Sequence, residues 1–105
     1  MKCYFKKKKL SRIFKDERLR NREYGKKISN QIRSRMEQFA YADELADLRD
    51  MPASGLHKLK GNAYFAVTVS PNYRLIFEGY DSDDKLSVNE RKIVSVNLID
   101  VIDYH

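Results

Sequence analysis

Arg74 is the residue whose type and position most clearly indicate chemistry. It follows Pro71-Asn72, a pair that suits the centre of a tight turn because proline presets its backbone angle. Tyr73, Leu75 and Phe77 then alternate as one face of a strand, which places Arg74 on the opposite face. A guanidinium is always charged, and its planar fork of donors matches a phosphate. The alternative is a surface arginine paired with an acid across the sheet, and the residues alone do not decide between the two.

Two histidines and a lysine supply candidate groups for proton transfer and charge stabilisation. His57 and Lys60 lie three residues apart before a predicted strand, and His105 follows Asp103-Tyr104. Histidine is the side chain most easily made both a proton acceptor and a proton donor near neutral pH. Strand alternation separates Lys60 from His57 by face unless a bend intervenes. A lone histidine more often has no chemical role, so these residues by themselves do not identify an enzyme.

The sequence carries no established metal or cofactor motif. A Walker loop, a GxGxxG pattern, zinc-ligand spacing and a serine elbow are all missing. Residues 81–84 resemble the opening of a calcium loop, but the glycine and the closing glutamate are absent, which favours a solvated hairpin end. Cys3 is the single cysteine, so an intramolecular disulfide and a cysteine-rich zinc site are excluded. We therefore expect neither a cofactor nor a metal.

Hydrophobic periodicity predicts helices in the first half of the chain. Residues 6–16 are expected to form a short helix after a strand at residues 2–5, and residues 18–24 are expected to connect two helices because few of them are apolar. The clearest helix follows Gly25, where apolar residues recur at spacings of four, four and three: Ile28, Ile32, Met36 and Phe39. A short helical turn with Leu45 and Leu48 inward is expected before Pro52.

Strand periodicity takes over in the second half. Residues 64–79 are predicted to be a hairpin, and a last strand is expected from about Ile93 to Ile102. Helices that precede strands indicate an α+β fold with two N-terminal helices packed on one face of a mostly antiparallel, twisted sheet. The chain has 105 residues, the length of one ordinary domain, so we expect residues 1–105 to form a single domain.

Charge is distributed unevenly along the chain. The formal net charge is +6, but residues 1–35 hold 14 basic and 3 acidic side chains, whereas residues 61–105 hold 4 basic and 7 acidic ones. A basic N-terminal part should attract a polyanion, with nucleic acid the leading candidate; the alternative is a solvated basic helix. No apolar window is long enough for a membrane span or a signal peptide, so we expect a cytoplasmic protein that does not bind membranes.

Three blocks of the sequence together resemble a known family. Residues 55–62 (GLHKLKGN), residues 65–77 (FAVTVSPNYRLIF) and the closing Asp103-Tyr104-His105 look like HigB killer proteins, which are plasmid-maintenance toxins of the RelE/ParE superfamily. The blocks occur in the family's order and at plausible separations. The resemblance implies a compact ribonuclease fold and a toxin of a type II toxin–antitoxin system that inhibits translation by cleaving messenger RNA on the ribosome.

The resemblance also implies a mechanism and a set of site residues. The substrate's own 2′-hydroxyl would attack the scissile phosphate without a metal, leaving a 2′,3′-cyclic phosphate and a 5′-hydroxyl. Arg74 and Lys60 would counter the charge of the pentacoordinate state, and His57 or His105 would transfer protons. Tyr104 would stack on a base or hold the phosphate, and Asp103 would orient a neighbour. The expected RNA- and ribosome-binding residues are Lys6, Lys7, Lys8, Lys9 and Arg12.

Partners follow from the same resemblance, and two other functions stay open. A HigA-type helix-turn-helix antitoxin is expected to neutralise the protein, and operator DNA is expected to be bound only through that antitoxin. The ribosome, with its RNA, and messenger RNA would be the targets. One alternative is a non-catalytic, ParE-like inhibitor of DNA gyrase. The other is a basic nucleic-acid-binding module without toxicity, which would bind RNA or DNA tightly without cutting it.

Overall fold

The element order follows the predicted change from helices to strands. A computed structural model describes residues 1–103. Its helices are α1 (Lys8–Lys15), α2 (Glu17–Tyr24), α3 (Lys26–Tyr41) and a 3-10 helix (Leu45–Asp50). Its strands are β1 (Lys2–Phe5), β2 (His57–Lys58), β3 (Tyr64–Thr68), β4 (Tyr73–Tyr80), β5 (Leu86–Ser87) and β6 (Ser95–Asp103). The fold is thus α+β.

Residues 18–24 are helical, so the prediction of a connector there is wrong. The carboxylate of Asp16 caps α2 by accepting from the backbone N–H groups of Arg18 at 2.9 Å and Leu19 at 3.2 Å. The residue that α2 buries is Arg20, which has only 6% of its surface exposed. A helix whose inward residue is an arginine has no apolar stripe, and for that reason hydrophobic periodicity missed it.

The other predicted helices are confirmed. Leu10, Ile13 and Phe14 of α1 are buried, as are Ile32 and Phe39 of α3. The predicted turn before Pro52 is the 3-10 helix, and both of its leucines, Leu45 and Leu48, are fully buried. The other two predicted positions of α3, Ile28 and Met36, are partly buried and pack against the core. Spacings of three and four residues therefore marked the side of each helix that faces the core.

The sheet is mixed, with mostly antiparallel pairs. Its strand order is β1-β6-β4-β3-β2, and β5 pairs with β4 beside this path. The β1–β6 pair is parallel and the other pairs are antiparallel. The predicted hairpin is confirmed as β3 and β4, closed by a hydrogen bond from Val69 N to Tyr73 O at 3.0 Å. The last strand begins at Ser95, two residues later than predicted.

The two faces of the sheet differ in composition. The inner face joins the hydrophobic core, where the Phe77 ring meets Phe39 of α3 edge-on at 5.1 Å and stacks on Phe65 at 5.8 Å. The strand register places a second set of residues on the opposite side, which we call the outer face. It comprises Lys2, Tyr4, His57, Tyr64, Ala66, Thr68, Arg74, Ile76, Glu78, Tyr80, Ser95, Asn97, Asp100 and Ile102.

The core also holds the single cysteine. Cys3 is half-buried and packs against the core cluster from β1. Burial raises the pKa of its thiol to about 11, more than the nearby N-terminal ammonium lowers it. The thiol is therefore neutral at physiological pH, which makes Cys3 a packing residue and a poor nucleophile.

Candidate active site on the outer face of the sheet

The strand register brings Arg74 and His57 to the same face. Arg74 of β4 lies opposite Thr68 of β3, while His57 of β2 lies opposite Ala66, two residues before Thr68 in β3. Two strand spacings and two residues of strand rise put the Cα atoms of Arg74 and His57 about 12 Å apart. Their side chains project from the same side of the sheet, so both can approach one ligand group placed between them.

The hairpin turn holds the guanidinium of Arg74 at the end of the sheet. Its Nη1 donates to the carbonyl oxygens of Ser70 at 2.8 Å and Tyr73 at 3.1 Å, and the Pro71 oxygen lies 3.5 Å away. The Ser70 hydroxyl in turn accepts from Tyr73 N at 3.2 Å. The turn thus orients the arginine through carbonyl groups, which accept its hydrogen bonds.

A neighbouring loop fixes the tautomer of His57. The Nδ1 atom of this half-buried ring lies 3.0 Å from the carbonyl oxygen of Gly55. Because a carbonyl only accepts, Nδ1 carries the proton in this contact and Nε2 is left as the acceptor. Gly55 has φ +55°, and a Cβ built on it would lie 2.3 Å from Oγ1 of Thr68, so a larger residue does not fit there.

Lys60 lies at the other end of the sheet from Arg74. It is exposed in the turn between β2 and β3, beyond Leu59, whose N–H donates to Tyr64 O at 2.9 Å. The distance between two strands and the rise along β3 together put the Cα atoms of Lys60 and Arg74 roughly 18 Å apart. The fold thus brings His57 towards Arg74 but does not bring Lys60 to the same point.

The closing triplet is only partly described. Asp103 is exposed at the end of β6 and pairs with Tyr73, the neighbour of Arg74 in β4. Strand alternation directs its Cβ to the side opposite that of Arg74. Tyr104 and His105, the other two predicted site residues of this triplet, lie outside the described residues.

The lysine run borders the outer face along β6. The backbone N–H of Lys6 donates to Leu98 O at 2.9 Å and fixes the start of the run beside β6. Lys7 and Lys9 then line a shallow hollow between the helices and β6, together with Leu10 and Ile13 of α1, Glu23 and Tyr24 of α2, and Ile99 and Asp100 of β6. Arg12 is exposed one turn into α1, as are all four lysines. The basic segment therefore starts beside β6 and continues along the border between the sheet and the helices.

Comparison with family models identifies the group to which this arrangement belongs. The model of HigB-like toxins, described as RelE-like toxins of the type II toxin–antitoxin system HigB, matches residues 3–91. The chain belongs to the HigB-like toxin family. The match includes the lysine run, His57, Lys60 and Arg74, and it ends before β6 and Asp103. A search of curated proteins found no match.

Family membership gives the HigB-like chain a general role. It is a toxin of a type II toxin–antitoxin system, which implies an antitoxin partner. HigB-like toxins of the RelE family are generally endoribonucleases. Within residues 1–103, no group of three or more His, Cys, Asp or Glu side chains is placed to hold a metal ion. In the same part of the HigB-like chain, no helix is long and apolar enough to cross a membrane.

The outer face of the HigB-like chain also carries groups that sequence reasoning did not assign. The Tyr80 hydroxyl donates to Oε2 of Glu78 at 2.6 Å. This bond, followed by burial, raises the pKa of Tyr80, while a hydrogen bond with Asn97 lowers it. The alternation that placed Arg74 on this face also placed Glu78 there, and one further step along β4 reaches Tyr80. Strand alternation in the sequence thus indicated the face of these residues, but no recognised chemistry was associated with a glutamate and a tyrosine at these positions.

Proposed function

We propose that this HigB-like toxin is an endoribonuclease that cleaves messenger RNA on the ribosome. Support comes from one observation above all: an arginine and a histidine, distant in sequence, project from the same face of the sheet. An orienting hydrogen bond leaves Nε2 of the histidine as a proton acceptor. The basic run at the border of this face suits a substrate that carries phosphates.

The proposed reaction needs no bound metal. The 2′-hydroxyl oxygen attacks the adjacent phosphorus, its proton passes to Nε2 of His57, and the P–O5′ bond breaks as O5′ receives a proton. Arg74 counters the charge that develops on the non-bridging oxygens, an effect worth about 10²–10³-fold in rate for one such donor. Proton transfer by a positioned side chain is worth about 10²–10⁴-fold.

The remaining candidate residues take different parts in the proposal. His105 is assigned as the acid that protonates O5′, with Tyr104 against a base or the phosphate and Asp103 as an orienting group. Lys60 is assigned to a different phosphate of the RNA, since it lies roughly 18 Å from Arg74. The exposed cations Lys6, Lys7, Lys8, Lys9 and Arg12 are assigned to contacts with ribosomal RNA, which read shape and charge but not sequence.

The proposal extends to architecture, location and partners. The N-terminal helices are proposed to lie on the inner face of the sheet in the RelE-like arrangement, in a single domain that spans residues 1–105. The toxin would act in the cytoplasm, where ribosomes translate. Its antitoxin is proposed to be of the HigA type, with a helix-turn-helix through which the pair binds operator DNA.

Primer extension on messenger RNA from translating ribosomes tests the proposal. We expect ribosome-dependent cuts with the intact protein and a decrease in cleavage of about 10²–10³-fold with Arg74→Ala. Arg74→Lys keeps the charge but lacks the fork of donors, and should also be strongly impaired. The matched control is Arg33→Ala on α3, whose side chain is 54% exposed and forms only a surface pair with Glu37.

One result would contradict the role of Arg74, and two would contradict the ribonuclease itself. Cuts that persist in both Arg74 variants would exclude Arg74 from the reaction. Uncut messenger RNA together with inhibited DNA gyrase would favour the ParE-like function. Tight RNA binding without either effect would leave the nucleic-acid-binding module. Urea unfolding of each variant separates a loss of activity from a loss of folding.

A further inference from the structure

Three tyrosines share the outer face, and they differ from the other aromatic residues in their packing. Tyr4 pairs with Asn97, and Tyr64 pairs with Glu78, which itself lies opposite Asn97. These four residues therefore form one row across β1, β6, β4 and β3. Tyr80 lies two residues beyond Glu78 on the same side. The row crosses most of the width of the sheet.

The rings of this face are not used to build the core. On the inner side, phenylalanines pack in pairs, such as Phe39 with Phe77 and Phe65 with Phe77. Within residues 1–103, none of the rings of Tyr4, Tyr64 and Tyr80 contacts another aromatic ring. Tyr4 has 54% of its surface exposed, and the other two are partly exposed. The ring of Tyr4 is therefore open to a ligand with flat apolar surfaces, and the rings of Tyr64 and Tyr80 are open in part.

The row lies next to the proposed phosphate site. One strand spacing and two residues of rise put the Cα of Tyr64 about 8 Å from that of His57. Three strand spacings put Tyr4 about 14 Å from Tyr64, so that the two rings would meet different groups of an extended ligand. Beyond Tyr4, β1 continues into the lysine run. A chain that binds at His57 can thus cross the tyrosines and reach the lysines.

The polar groups of the row suit bases better than phosphates. Glu78 carries a negative charge, which would repel a phosphate, but its oxygens accept hydrogen bonds from N–H groups on base edges. Asn97 offers a donor and an acceptor side by side. Asp81 and Asp84 line a hollow together with Tyr4, so the border of the row at β1 is also acidic. The row is therefore suited to the N–H groups of bases, whereas Arg74 and the lysine run are suited to phosphates.

We propose that the row of Tyr4, Asn97, Glu78 and Tyr64, with Tyr80, is a stacking platform for the bases of single-stranded RNA. The proposal rests on the ribonuclease function and names the part of the site that holds the nucleotides next to the cleaved phosphate. Aromatic rings on an open sheet face bind successive bases in this way with little sequence preference.

Tyr4→Ala tests the platform, because the Tyr4 ring is exposed and its removal leaves the core intact. The probe is a fluorescent, single-stranded oligoribonucleotide with 2′-O-methyl groups, which has no attacking hydroxyl and cannot be cut. We expect Tyr4→Ala to lower its affinity about 5- to 100-fold at low salt. Tyr4→Phe should stay within about twofold of the intact protein, since it keeps the ring. The slope of affinity against salt should not change, because no phosphate contact is lost.

The matched control is Tyr41→Ala, since Tyr41 is 84% exposed at the end of α3 and is not part of the row. The same oligonucleotide with abasic sites should bind the intact protein more weakly and should not distinguish it from Tyr4→Ala. Equal effects of Tyr4→Ala and Tyr41→Ala, undiminished binding of the abasic probe, or no RNA binding at all would overturn the platform. Because the probe is not cleaved, these results are independent of whether primer extension supports the ribonuclease.

Discussion

Two basic side chains are buried and are satisfied by neutral groups. Arg20 donates to Phe14 O at 2.7 Å and to the hydroxyl of Ser29 at 2.9 Å, which joins the end of α1 to α3. Arg35, with 3% of its surface exposed, donates to Thr68 O at 2.8 Å and to Pro52 O at 3.2 Å. Burial lowers the pKa of Arg35. Carbonyl oxygens thus compensate these charges, and the arginines act as cross-links between segments.

The contrast between Arg35 and its neighbour Arg33 gives a stability prediction. Arg35→Ala removes the partners of two carbonyls and leaves a cavity, so we expect the free energy of unfolding to fall by about 2–4 kcal/mol. Arg33→Ala should change it by less than about 0.5 kcal/mol, because that side chain is exposed. Urea denaturation measures both. Equal losses for the two variants would show that the buried hydrogen bonds of Arg35 do not stabilise the fold.

Among the elements, β4 connects the core with the candidate site. Its odd-numbered residues belong to the inner face, and its even-numbered residues, Arg74 to Tyr80, form the centre of the outer face. A bulge between Ile76 and Phe77 in the pairing with β6 keeps both faces aligned across the two strands. Gly79 is the last residue of β4 that belongs to the inner face, and the side chain of the fully buried Ile93 fills the space next to it.

Gly79→Ala tests how tightly β4 is held. The new Cβ would lie 2.4 Å from Cδ1 and 2.8 Å from Cγ2 of Ile93. We expect the free energy of unfolding to decrease by about 1–3 kcal/mol, because the core must shift to admit the methyl group. Adding Ile93→Val should recover part of this loss, since it shortens the side chain that clashes. Thermal unfolding measures the stability of both variants. An unaltered midpoint temperature in Gly79→Ala would mean that β4 shifts freely to admit the methyl group.

At the scale of the whole molecule, positive charge is concentrated in the N-terminal third. The folded chain places the start of this segment beside β6, at the border of the outer face. The acidic residues Asp81, Asp83 and Asp84 lie in the loop between β4 and β5, where Asp83 and Lys85 donate their backbone N–H groups to the carboxylate of Asp81. A polyanion should therefore approach the molecule from the side of the lysine run.

Salt dependence tests this orientation. We expect the affinity of the toxin for ribosomes to fall steeply between 50 and 200 mM salt, as bound counterions are released. Replacing Lys7 and Lys8 by glutamine should lower the slope of log affinity against log salt by about 0.7–0.9 for each lysine that contacts a phosphate. Lys92→Gln, in the loop before β6, is the control and should leave the slope unchanged. An equal change in the control would place the contact elsewhere.

Local patterns in the sequence determined most of the elements and one face of the site. Apolar spacing identified α1, α3 and the 3-10 helix, and alternation around Pro71-Asn72 identified the hairpin and the face of Arg74. These predictions succeed because each depends on residues that are close together in the chain. Helix α2 was missed because its buried residue is Arg20, whose partners Phe14 and Ser29 belong to α1 and α3.

Only the tertiary structure decided which distant residues meet. The pairing of β2, β3 and β4 brings His57 to the face of Arg74 and leaves Lys60 at the far end. The parallel pairing of β1 with β6 adds Tyr4 to the row with Asn97. Register is set by packing of the whole inner face against the core, a sum over many contacts that no single segment contains. Residue types and faces are therefore local properties of the sequence, whereas their assembly into a site is a property of the fold.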